Sequence, residues 1–172
     1  MTPKTAPLYW TDARIWREAN LSLSRLVRIW SGNLGRARRL AQRIEALFCF
    51  VIPVMEELCE ATCPACTDPC CVRARARFDL ADLLFLHLAG QAVPLAQAGP
   101  EGRTVCRYLG STGCSLPRLS RPWICRWYLC PQQKRLVGLD PASGQRRFEL
   151  TLARIRRLRR NLEENFIQTV SP

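Results

Sequence analysis

Eight of this chain's ten cysteines fall in two tight groups, and that bunching is where its chemistry lies. The first group reads Cys63-Pro-Ala-Cys66-Thr-Asp-Pro-Cys70-Cys71. The second is Cys106, Cys114, Cys125 and Cys130, with Arg121-Pro122-Trp123-Ile124-Cys125-Arg126 leading into its centre. Thiols at this density close disulfides, bind a metal or react. A Cys-x-x-Cys puts two sulfurs on one ion with little backbone strain, so Cys63 and Cys66 are expected to share a site. Cys70 and Cys71 are adjacent, and neighbouring side chains diverge in regular structure. The pair therefore serves two ions, or one ion through a single member. Cys125 and Cys130 would lie about 140° apart around a helix, so either the helix ends near Leu129 or the two belong to different sites. Eight thiolates satisfy two four-sulfur sites, or one cluster with four structural or reactive thiols left over.

Thiolate is a soft ligand that selects zinc or iron–sulfur clusters, and both accept four sulfurs. Two Cys-x-x-Cys knuckles would favour zinc, and one is present; the bunched first group favours an iron–sulfur cluster on spacing. Disulfides are the competing reading. The opening residues, Met1-Thr2-Pro3-Lys4-Thr5-Ala6-Pro7-Leu8-Tyr9-Trp10, carry no apolar stretch of the kind a secretory signal needs. A cytoplasmic location is expected, and there clustered cysteines are metal ligands or redox groups. The longest apolar run, 46–55, contains Pro53 and is half the roughly 20 residues of a spanning helix, so no transmembrane segment is expected.

The remaining reactive types are sparse. His87, the single histidine, lies in the apolar stretch Leu83-Leu84-Phe85-Leu86-His87-Leu88 and reads as a core or partly exposed residue rather than a ligand. Cys49, between Phe48 and Phe50, reads as a small buried residue, and burial is the favoured reading of Cys59. Cys59, Cys63 and Cys66 repeat the spacing of the radical-SAM signature, but those enzymes set it after a strand in a large α/β barrel, and a helix precedes it here. No paired carboxylates or Gly-rich phosphate loop support acid–base or phosphoryl chemistry.

The net charge of +12 suits an acidic partner: nucleic acid, an anionic membrane surface or an acidic protein. No nucleic-acid module accompanies the charge, which makes nucleic acid the weaker choice and an acidic protein the better one. An ordinary solvated helix explains the arginines of 154–160 without any partner.

The elements that must position the thiols are mainly α-helical, around an irregular, loop-built cysteine-rich core. A single domain, 1–172, is expected. Residues 12–31 have helical spacing at Ile15, Ala19, Leu23, Leu26, Val27 and Trp30, with Asp12 as the cap and Ser31-Gly32-Asn33 as the break. A second helix over 34–59 carries the stripe Leu34, Ala37, Ala41, Ile44, Phe48 and Val51, with Pro53 kinking or ending it. The two make a helical hairpin over 12–59. The cysteine-cluster core spans 60–131, its first group in a Pro-rich loop over 62–72. Asp79 caps a helix, 80–89, that Gly90 ends. Residues 91–103 are a loop, and 106–120 are irregular, with Gly110 and Gly113 permitting tight turns. Pro122 opens a short helix that Pro131 stops. The segments 135–139 and 145–150 could pair as a hairpin across the turn 140–144. A basic helix over 147–168 closes the chain, with Phe148, Leu152, Ile155, Leu162 and Phe166 on one side.

Taken together, Cys63, Cys66, Cys70 and Cys71, then Cys106, Gly113-Cys114, Arg121-Pro122, Cys125-Arg126 and Cys130 resemble the YkgJ-type cysteine-cluster family, named for Cys-x-x-Cys-x-x-Cys-Cys. The resemblance covers residues 60–131. It departs from the family before the paired cysteines, where three residues, Thr67-Asp68-Pro69, stand in place of two, which leaves open whether Cys70 or Cys71 takes the usual ligand position. It implies bound zinc or iron, with the eight cysteines as ligands and Arg121 and Arg126 offsetting thiolate charge or donating hydrogen bonds to the site. Alternatively Arg121 simply packs its loop. The activity is left open by the resemblance. Flagellin lysine methylases carry a similar cluster in a longer chain, so a cluster-dependent protein-modifying enzyme is the second reading, and a basic adaptor for nucleic acid or an acidic protein the third.

Overall fold

In the computed structural model, residues 12–73, 76–99, 105–111, 113–138 and 144–171 are described. The protein is mainly helical, as expected, with one two-stranded ribbon among the described residues. Helix α1, Ala13–Ile29, starts where Asp12 accepts from the backbone N–H groups of Arg14 and Ile15 at 2.7 and 3.0 Å. It ends at the expected break. The long helix α2, Gly35–Thr62, buries the stripe Leu34, Ala37, Ala41, Ile44, Phe48 and Val51 in full, and extends it with Met55.

Pro53 does not end α2, which runs nine residues further, to Thr62. The proline is exposed, so the carbonyl of Cys49 that loses its donor faces solvent rather than the core. This extension carries Cys59 and the first residue of the expected loop onto the helix. Cys49 is exposed rather than buried. One residue is about 100° of helical turn, which is enough to rotate it off the stripe that holds Phe48.

Two short pieces follow: α3, Cys70–Arg73, and α4, Leu80–Leu88. The first group of cysteines is therefore split between the end of α2, a turn and α3, instead of occupying one loop. Asp79 and Asp82 form a reciprocal capping box at the start of α4, and Gly90 follows it with φ +67°. Strands β1, Leu109–Gly110, and β2, Gly113–Cys114, pair antiparallel around Gly113, whose φ of +115° only glycine adopts readily.

Helix α5, Trp123–Trp127, is shorter than expected, and Pro131 opens α6, Pro131–Gly138, rather than stopping α5. Helix α7, Gly144–Val170, begins three residues before the expected start. The hairpin expected over 135–139 and 145–150 does not form; α6 and α7 take up its described residues, and most of the expected turn, 140–143, lies outside the described residues. Both segments pack as helices on α2 instead of pairing across the turn.

Helices α2, α4 and α7 enclose the core: Phe48 and Ile44 from α2, the run Leu83 to Leu86 from α4, and Ile155, Leu158, Leu162 and Phe166 from α7. Helix α1 packs on α4 and adds Trp16, whose Nε1–H donates to the Pro94 carbonyl at 2.9 Å. His87 is half-buried and its Nε2 meets Asn20 Oδ1 at 3.1 Å, a helix-to-helix contact in keeping with a packing role. No helix among the described residues is long and apolar enough to cross a membrane.

Candidate metal centre

The end of α2 sets the first thiols. Cys59 and Cys63 are four residues apart, so they share a helix face, and, after burial, the Cys59 charge helps push the Cys63 thiol up. Cys63 caps the helix through its N–H to the Cys59 carbonyl at 2.8 Å. The chain then turns, with the Cys66 N–H on the Cys63 carbonyl at 3.2 Å, which keeps the knuckle residues together. Cys70 and Cys71 open α3. Adjacency does not isolate them: each thiol shifts the other's pKa, Cys70 downward and Cys71 upward.

The second group folds back onto the first. The Cys106 N–H donates to the Cys71 carbonyl at 3.3 Å, and Cys114 ends β2 opposite Leu109. Cys125 lies in the middle of α5. Its thiol is pushed up to about 12, first by burial and then by the charges of Cys114 and Cys106, with Cys70 adding to them. The Cys71 thiol is raised by its hydrogen bond to Cys70, by burial, and by Cys70, Cys114 and Cys125. Cys125 thus lies in the field of Cys70, Cys106 and Cys114, and Cys71 in that of Cys70, Cys114 and Cys125.

Cys130 keeps other company. Helix α5 ends before it, and the Gln133 N–H points at its sulfur at 3.5 Å. Gln133 is only 4% exposed. Its Nε2 donates to Thr62 Oγ1 at 3.0 Å and lies 3.6 Å from Cys59 Sγ and 4.0 Å from Cys63 Sγ. The helix ends between Cys125 and Cys130, the first of the two expected ways of separating them, and Cys130 has Gln133 as its neighbour.

The electrostatics are those of thiols competing to stay neutral. The Cys63 thiol is pushed up to about 11, by burial first and then by Cys59. Cys70 moves the other way, down to about 6, because the Cys71 thiol and the backbone N–H groups of Cys70 and Cys71 donate to its thiolate. Burial and mutual repulsion among thiolates are what a bound cation relieves, since metal binding displaces the protons.

The expected arginines separate. Arg121 stays at the site: its Nε donates to the Leu116 carbonyl at 2.9 Å, its Nη2 to the Cys114 carbonyl at 3.4 Å, and its charge favours the Cys125 thiolate. Its hydrogen bonds pack the loop beside Cys114, and its charge partly opposes the upward shift of the Cys125 thiol. Arg126 is wholly buried and turns into the core. Its guanidinium lies 4.8 Å from the Phe85 ring centroid and 5.0 Å from that of Phe48, and its Nη2 is 3.7 Å from Asp82. The core position, with Asp82 as counter-charge, explains its place better than service to the thiols.

Two residues at the thiols were not singled out by spacing. Arg118, 6% exposed, sends Nη2 to Cys59 Sγ and to the Met55 carbonyl, both at 3.3 Å. Gln133 has the contacts given above. Neither carries a motif. Cys59 had a signal, its i, i+4 relation to Cys63, which becomes visible once α2 is carried past Pro53.

All ten cysteines are free thiols. As the side chains stand, no three His, Cys, Asp or Glu groups close on a common point that would hold an ion, among the described residues. The donor set nevertheless fits a soft metal: it is all sulfur, it is bordered by Arg118, Arg121 and Gln133, and Arg118 Nε is buried without a hydrogen-bond partner. Comparison with family models, curated proteins and solved structures finds no match, so the family resemblance rests on the quoted residues alone.

Proposed function

We propose that this protein binds a metal through its clustered thiolates, an iron–sulfur cluster in first place and zinc as the alternative, in a reducing compartment such as the cytoplasm. The observation that carries the reading is the folding of the second cysteine group onto the first: the Cys106 N–H donates to the Cys71 carbonyl at 3.3 Å, and the Cys125 thiol is raised by burial and by Cys114, Cys106 and Cys70. Bringing like-charging groups together is unfavourable unless a cation or protons neutralise them. Cys63 and Cys66 extend the ligand set through the knuckle at the end of α2, and Cys130 through Gln133. Bunched all-sulfur ligation suits a polynuclear cluster, and Arg121 would offset its charge.

The test is anaerobic purification under reducing conditions, followed by elemental analysis and a visible spectrum on one sample. Stoichiometric iron and sulfide with broad visible absorption are the expected result. Stoichiometric zinc in a colourless protein moves the reading to a closed thiolate site. Protein with no stoichiometric metal overturns it.

A further inference from the structure

We propose that Cys59, which lies outside the eight-cysteine pattern, is itself a metal ligand and works with Cys63 and Cys130, with Arg118 as the counter-charge and Gln133 as the donor that orients the sulfurs. The proposal rests on the metal-binding reading above and divides the thiols differently. Cys59 leaves the class of buried bystanders, and Cys130 leaves the neighbourhood of Cys125.

Three observations converge. The first is the thiol pair: Cys59 and Cys63 stand one helical turn apart at the end of α2, and Gln133 Nε2 lies 3.6 Å from one sulfur and 4.0 Å from the other. The second is Gln133. Its Oε1 accepts from the Cys130 N–H at 3.1 Å and its own N–H meets Cys130 Sγ, a reciprocal cap at the start of α6, and this leaves its Nε2 to point at Thr62 Oγ1 with Cys59 Sγ at 3.6 Å and Cys63 Sγ at 4.0 Å. N–H groups aimed at sulfur are how proteins support metal-bound thiolates. The third is Arg118. No carboxylate lies within ion-pair distance of it among the described residues, and its acceptors are the Cys125 and Met55 carbonyls and Cys59 Sγ. A buried guanidinium without counter-charge is costly. Three thiolates on one divalent ion leave a single net negative charge, which one guanidinium matches.

The test uses the full chain, prepared anaerobically, with metal content read for the wild type, Cys59→Ser and Cys49→Ser. Cys49 lies on the same helix and is exposed, so its variant controls for cysteine loss as such. Cys59→Ser is expected to lose part of the metal while keeping the remainder, and Cys49→Ser to lose none. Arg118→Gln is expected to weaken the same site about 10–100-fold, the range for groups that support a ligand. Circular dichroism tells loss of metal from loss of fold. Should Cys59→Ser fail to fold, alkylation of the wild type mapped to individual cysteines decides. Cys59 should be protected when metal is bound and modified after chelation. A wild type that binds metal while Cys59 reacts equally with and without it overturns this proposal alone. A wild type that binds none overturns the metal-binding reading as well.

Discussion

Arg159 of α7 donates to the Asp82 carboxylate of α4 at 2.6 Å, across 77 residues of sequence. It also reaches both Asp79 oxygens at 2.8 Å and lies 5.0 Å from the Trp123 ring centroid. Asp82 meanwhile accepts from the N–H groups of Asp79 and Trp123. One buried carboxylate thus fastens α4, α5 and α7 together, and α5 carries Cys125. The arginine expected to be one of a solvated row is 4% exposed and structural.

Asp82→Ala should destabilise the protein by about 3–5 kcal/mol, because it leaves the buried Arg126 without its carboxylate and Arg159 with Asp79 alone. Denaturant unfolding measures this. A loss under about 1 kcal/mol, the scale of an exposed pair, would contradict the buried assignment. Arg156→Ala, on the exposed side of the same helix, should stay near neutral.

His87 makes stability depend on pH. Burial holds its folded-state pKa below the ordinary value of 6.5. Above 6.5 the ring is neutral in both folded and unfolded chains. As pH falls towards the lower folded value the unfolded chain takes up the proton first, so stability should decline through that window. Thermal melts at stepped pH check this. His87→Gln should flatten the slope between pH 6.5 and the folded value, and an unchanged slope would assign it to another group.

Cys70 should be the most reactive thiol of metal-free, reduced protein. Its thiolate forms as pH rises through about 6, whereas Cys63 waits until about 11 and Cys125 until about 12. Brief iodoacetamide treatment at pH 7 followed by peptide mapping should label Cys70 well ahead of those two. Cys71→Ala removes the principal donor to that thiolate and should move the midpoint upward. Equal labelling of all three would refute the ordering.

Trp16 is 1% exposed, packs on Phe78 with ring centroids 5.4 Å apart, and joins α1 to the segment after α4 through Pro94. Trp16→Ala should cost about 3–5 kcal/mol, and Trp16→Phe less, since the latter loses mainly the hydrogen bond. Denaturant midpoints distinguish them. A near-neutral Trp16→Ala would return this residue to the surface.

The chain's periodicity was enough to place the large helices. Asp12, the α2 stripe, Asp79 with Gly90, and the apolar side of α7 each mark their element locally, because caps and amphipathic faces are set by neighbours within a turn or two. The bunching of thiols was equally visible, and so was the need to separate Cys125 from Cys130 on an unbroken helix.

What tertiary packing decided is whatever depends on distant partners. Solvent exposure of Pro53 let α2 continue and brought Cys59 beside Cys63. Burial against Asp82 drew Arg126 and Arg159 out of the charged surface, though each sits in an Arg-rich stretch with no local mark of difference. Arg118 and Gln133 reached the sulfurs from 59 and 74 residues beyond Cys59. Residue type and spacing determined that this protein concentrates soft ligands. Which thiols stand together, and which buried cation and amide face them, depended on how α2, α5 and α6 meet, because hydrogen bonds and charge act over ångströms in space whatever the separation along the chain.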